Sequence, residues 1–67
     1  MEGWQLVFRS EQPHMVEIAK AVLQDSGIHV VEINRKDSTY ISLGEIELYV
    51  QATDAPLAKV ILEQNQL

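Results

Sequence analysis

The side chains best equipped for chemistry gather in one short run, Asn34-Arg35-Lys36-Asp37-Ser38-Thr39-Tyr40. Arg35 and Lys36 suit an anionic group, which Asn34, Ser38 or Tyr40 would orient by hydrogen bonds. The same residues also make an ordinary loop, in which Asn34 and Asp37 bend the backbone through their own side chains while the cations stay solvated. Together with Tyr49 on the strand that follows, Asn34, Arg35, Lys36, Asp37, Ser38 and Tyr40 are the candidate ligand- or partner-binding residues. An exposed tyrosine presents an apolar ring at low entropic cost, which favours it at interfaces.

Other constellations fall short of a site. His14 and His29 lie on different elements, with no cysteine and no second histidine one helical turn away, so a closed metal-ligand set is not expected. Glu45 and Glu47 share one strand face roughly 7 Å apart. Acid–base work needs one such carboxyl desolvated, whereas an outward strand face leaves both solvated. Gly3, Gly27 and Gly44 are too far apart for a phosphate-cradling loop, and no Ser-His-acid grouping can be assembled. No catalytic residue, metal ligand or cofactor is expected.

The elements that must position these residues follow from periodicity. Trp4-Gln5-Leu6-Val7-Phe8-Arg9 alternates as a strand, with Trp4, Leu6 and Phe8 on one face. Ser10, Glu11 and Pro13 mark a helix start, and Met15, Ile18, Ala19, Val22 and Leu23 give its apolar stripe. Gly27 supplies the left-handed residue that ends that helix. Residues 28–33 are strand-like, although the alternation slips at Val30-Val31. Residues 34–38 read as loop, 39–42 as a short strand, and Leu43-Gly44 as a turn.

Residues 45–51 alternate without fault, with Ile46, Leu48 and Val50 inward and Glu47, Tyr49 and Gln51 outward. Thr53 or Asp54 caps a last helix whose stripe is Leu57, Ala58, Ile61 and Leu62, and residues 64–67 are expected to fray. The order β-α-β-β-β-α predicts a two-layer α/β sandwich of the ferredoxin-like, split β-α-β type. Strand 45–51 then lies between strand 4–9 and strand 28–33 in an antiparallel sheet, with two helices on one face. The usual final strand, which would lie beside strand 4–9, is lacking. Its absence leaves the edge of strand 4–9 unpaired, and bare edges invite another chain.

Size and charge bound the rest. A chain of 67 residues makes one domain. It buries only about 60% of its unfolded surface, so self-association is a natural supplement. Without cysteine, disulfides and thiol catalysis are excluded. A net charge of −5, with five cations scattered apart from the adjacent Arg35 and Lys36, lacks the concentrated basic face a phosphate backbone needs, and so no nucleic acid is expected as partner. No stretch reads as a signal peptide or a membrane span, so a cytoplasmic protein with no membrane partner is expected.

These residues also carry a resemblance. Trp4, the glycine-ended first helix, the 34–40 run, Gly44-Glu45-Ile46-Glu47-Leu48-Tyr49-Val50, and Asp54 before an Ala58-containing helix resemble a family of small bacterial domains. That family, of unknown function, is labelled putative prokaryotic signal-transducing protein. Leu43 departs from its pattern, where an aromatic residue precedes the glycine. The resemblance implies a fold similar to the nitrogen-regulatory PII-like branch of the ferredoxin-like class. The long nucleotide-grasping loop of PII regulators is missing here, so ATP or 2-oxoglutarate binding does not carry over.

The expectation is a non-enzymatic regulatory or interaction module. It would act as a homodimer or higher oligomer through the edge of strand 4–9 or the open sheet face, and meet a protein partner. The alternative is a small-ligand-binding or enzymatic homodimer with its cleft between subunits.

Overall fold

The structure is a computed structural model that describes residues 2–35 and 45–67, Arg35 by its backbone alone. Strand β1 (Trp4–Ser10) leads into helix α1 (Pro13–Asp25), then strand β2 (Val30–Arg35). Strand β3 (Glu45–Gln51) follows, and a short 3-10 turn (Ala52–Asp54) enters helix α2 (Ala55–Gln64). The sheet order is β1-β3-β2 with both pairings antiparallel, so β1 and β2 run parallel on either side of β3. This is the split β-α-β arrangement with β3 central, an α+β sandwich in which no strand follows α2 among the described residues. The expected strand at 39–42 and the turn at 43–44 lie outside the described residues.

One face of β3 organises the core. Ile46, Leu48 and Val50 are buried, and against them pack Val16, Ala19 and Leu23 of α1 and Ala55, Ala58 and Leu62 of α2. Both helices therefore cover the same side of the sheet. Three of the six helix positions in this core are alanine, which lets the helix backbones come close to the sheet and to each other. The larger Ile18 and Leu57, expected in the apolar stripes, instead stand about half exposed on the outer helix faces. Val16 and Ala55 take the inward places.

Strand β1 departs from simple alternation. Its register with β3 runs Leu6↔Tyr49 and then Phe8↔Leu48, leaving Val7 as the extra residue of a β-bulge. Trp4, Leu6 and Arg9 thus share the face of Gln51, Tyr49 and Glu47, while Phe8 turns to the helix side beside Leu48. Trp4, Leu6 and Phe8 do not share a face, because the bulge flips the strand between them. Val7 and Phe8 both pack against the core.

Strand β2 begins and ends two residues later than its sequence pattern indicates. Ile28 is buried just ahead of it, and Asn34 and Arg35 pair with Ile46 and Glu45 in the ladder instead of forming a loop. The slip at Val30-Val31 is resolved by the register. Val30 and Glu32 face the helices opposite Val50 and Leu48, and Val31 and Ile33 face away opposite Tyr49 and Glu47. A charged Glu32 is tolerated on the helix side because it stays exposed at the sheet edge, where Lys20 of α1 stands 3.7 Å away.

The helix ends are closed by backbone hydrogen bonds. At α1, Gly27 N–H donates to Gln24 O at 2.9 Å and Ile28 N–H to Leu23 O at 3.1 Å, with Gly27 at φ +82°. This is a Schellman closure, and it seats Ile28 in the core. The end of α2 repeats it: Gln66 N–H donates to Glu63 O at 3.0 Å and Leu67 N–H to Leu62 O at 2.9 Å. Gln66 takes the left-handed place at φ 59°. The expected fraying of 64–67 is replaced by a closed end that packs Leu67 on the core. Neither Gln12 nor Asp54, the N-cap residues, makes a side-chain cap bond. Instead the Ser10 hydroxyl accepts from Gln12 N–H at 3.0 Å.

Candidate functional site on the open sheet face

The side of the sheet away from the helices gathers residues from all three strands. Cross-strand partners share a face, so the registers place Leu6, Tyr49 and Val31 in one row, and Arg9, Glu47 and Ile33 in the next. At the end of the sheet, Trp4 lies opposite Gln51. The His29 ring, just ahead of β2, meets the Trp4 ring edge-on, with centroids 6.1 Å apart and planes inclined at 66°. The result is a surface of two aromatic rings and several aliphatic side chains, with an acidic centre.

That centre is Glu47, 7% exposed and the buried charged residue among those described. The Tyr49 hydroxyl donates to Glu47 Oε1 at 3.1 Å. Residues two apart on a strand share a face, which is what lets this pair meet. The hydrogen bond fixes the tyrosine ring along the strand axis, between Leu6 and Val31. One strand step away, Arg9 Nε stands 3.5 Å from Glu45 Oε2, with both side chains well exposed. A pair this open to water adds little to stability.

The expected site residues divide. Tyr49 sits in the middle of the open face, half-buried. Asn34 is exposed opposite Ile46, on the helix side of the sheet, so the structure does not bring it beside Tyr49. Arg35 ends β2 with its backbone paired to Glu45. Lys36, Asp37, Ser38 and Tyr40 lie outside the described residues.

Sequence reasoning assigned Glu47 to a solvated outward row together with Glu45. The structure buries Glu47 while Glu45 keeps 44% of its side chain exposed. The signal available in the sequence was the Glu-x-Tyr spacing, which sets a hydroxyl next to a carboxylate on one face. Trp4, Leu6, Val31 and Ile33 were also missed as members of this face, since the bulge and the β2 register decide their side.

Elsewhere the described surface offers only shallow clefts. One of about 350 Å³ lies at the end of α1, lined by Gln24, Gly27, Ile28, His29 and Val30. Another, of about 380 Å³, lies between Gly3-Trp4 and residues 51–53. Among the described residues no group of three His, Cys, Asp or Glu side chains converges as a metal site. No described helix is long and apolar enough to cross a membrane.

Comparison with known proteins places the chain. The family model described as putative prokaryotic signal transducing protein matches residues 4–66, and the chain belongs to that family. No curated protein and no solved structure matches it.

Proposed function

We propose that this chain is a non-enzymatic regulatory or interaction module of the cytoplasm, PII-like in fold. It acts as a homo-oligomer and recognises a protein partner through its open sheet face. The carrying observation is the row Leu6–Tyr49–Val31 flanked by Trp4 and Ile33, an aromatic and aliphatic surface on the side the helices leave uncovered. Tyrosine and tryptophan anchor interfaces because they bury large areas with few rotatable bonds. Tyr49 is further fixed by Glu47, so its ring is ordered before any partner arrives. The mechanism is recognition alone, with no bond made or broken. The family's signalling label agrees with such a role.

A second reading rests on Glu47. A carboxylate with 7% exposure beside a tyrosine hydroxyl is the environment in which a small ligand or a reacting group would be held once a second subunit closed over the face. In that case the cleft forms between subunits.

The test compares proteins recovered with the tagged chain from its native cells. Tyr49→Arg and Val31→Arg alter the open face, and Leu57→Arg alters the outer face of α2. The reading expects a partner that is lost with the first two variants and kept with the third. Recovery that follows Leu57→Arg, or is indifferent to all three, overturns it. A partner-free dimer enclosing Glu47 in a polar cavity favours the second reading.

A further inference from the structure

The outer edge of β1 is bordered on both sides by clefts that share the residues of the bulge. On the helix side, a cleft of about 270 Å³ is lined by Val7, Phe8, Lys59, Leu62, Glu63 and Leu67. On the open side, a cleft of about 350 Å³ is lined by Leu6, Val7, Phe8 and Arg9. An added strand points alternate side chains to opposite faces, so it would fill one cleft and then the other while its backbone bonded to the edge. Among the described residues no strand pairs with this edge.

The direction of the free backbone groups follows from the ladder. Ala52 N–H donates to Gly3 O at 2.9 Å, so Gly3 bonds toward β3. Alternation then turns Gln5 toward β3 and leaves the N–H and C=O of Trp4 and Leu6 pointing away. The bulge at Val7 steps the alternation by one residue, so Phe8 and Ser10 bond inward and Arg9 points away.

We propose that this edge joins two copies of the chain, β1 to β1, antiparallel, about a two-fold axis normal to the sheet. The inference rests on the self-association part of the proposed function and names the surface that carries it. An antiparallel partner must match sides: a residue on the open face has to oppose another on the open face. The bulge makes this restrictive, because even-numbered residues face open before it and odd-numbered ones after it. A register pairing Leu6 with Arg9 of the second copy, Val7 with Phe8 and Gln5 with Ser10 satisfies both the faces and the outward-pointing backbone groups.

Pairing Trp4 with Arg9 instead would set Leu6, on the open face, opposite Val7, on the helix side. The first register lays the aliphatic stem of each Arg9 along Leu6 of the other copy, once on either side of the axis. On the helix side, the two-fold brings the α2 helices to either side of the seam. Lys59 and Glu63 line the cleft there, and the symmetry sets Lys59 of each chain toward Glu63 of the other. A standard interface takes about 800 Å² per partner. The whole chain exposes 4691 Å², so the strand edge and α2 together must supply about a sixth of it.

The experiment is sedimentation equilibrium of the full chain over a hundredfold concentration range, joined to residue-resolved amide hydrogen exchange at both ends of that range. The expected result is a monomer–dimer equilibrium in which the Leu6 and Arg9 amides slow at least tenfold as the dimer fills. Leu6→Lys places a cation opposite Arg9 of the second copy on each side of the axis, and dimerisation should weaken at least tenfold while the far-ultraviolet spectrum of the monomer is unchanged. A dimer in which those two amides exchange as fast as in the monomer overturns the edge pairing and leaves self-association through the sheet face standing. A monomer at every concentration overturns self-association altogether. Neither outcome touches partner recovery through Tyr49 and Val31, so the two readings fail separately.

Discussion

Removing the Tyr49 hydroxyl gives the sharpest measure of how the open face is built. In Tyr49→Phe the ring remains between Leu6 and Val31, and only the bond to Glu47 is lost. A hydrogen bond to a charged group contributes about 1.5–3 kcal/mol when well buried. Two features lower that figure here. The 3.1 Å separation is long for a hydroxyl on a carboxylate, whose charge-assisted bonds run at about 2.5–2.7 Å. Tyr49 is also half-buried, so water can replace part of what is removed.

The expected loss is therefore about 1 kcal/mol, and in a domain this small it lowers the melting temperature by roughly 4–8 °C. Urea unfolding of the wild type, Tyr49→Phe, Glu47→Ala and the double variant completes a cycle that isolates the pair from anything else either residue touches, since alanine leaves no acceptor for the hydroxyl. The expected coupling is about 1 kcal/mol, favourable. A coupling within about 0.3 kcal/mol of zero would refute the claim that Glu47 holds the ring in place.

Four further outcomes test the architecture by equilibrium unfolding. Leu48→Ala, at a fully buried position in the middle of the central strand, should cost about 2–5 kcal/mol, a large part of the roughly 3–10 kcal/mol such a domain has. Leu57→Ala, at a side chain 53% exposed, should stay within about 0.5 kcal/mol. Gln66→Gly relieves a left-handed residue and should stabilise by about 1 kcal/mol, and a loss there would contradict the closed end of α2. Deleting Val7 should leave a regular ladder, with Leu6 still opposite Tyr49 and Phe8 opposite Leu48. The cost is about 1 kcal/mol for the packing of one half-buried valine, and collapse of the fold would show that Val7 is not the extra residue.

The sequence made β3 legible because its alternation has no competing pattern: each of Ile46, Leu48 and Val50 is flanked by a polar residue or by Tyr49. The order of elements then put β3 in the middle, and the structure agrees. Strand β1 was opaque for the opposite reason. Leu6-Val7-Phe8 is apolar throughout, so no pattern tells a regular strand from one carrying an extra residue. Only pairing with β3 decides it.

The helix faces were misjudged by size. Periodicity favoured Ile18 and Leu57 as inward. Close packing against the sheet keeps the expected Ala19, Leu23, Ala58 and Leu62 inward and takes Val16 and Ala55 in place of Ile18 and Leu57. The burial of Glu47 was hidden because a carboxylate next to an outward tyrosine reads as surface until the neighbouring strands are in place.

In-cell photo-crosslinking bears most directly on the claim that the uncovered side of the sheet is where this protein meets its partner. A photoreactive residue at Gln51, exposed beside Trp4 on that side, is compared with one at Val60, exposed on the outer face of α2. The account predicts a discrete crosslinked protein from position 51 and none from position 60. Crosslinks from position 60 with position 51 silent would contradict it.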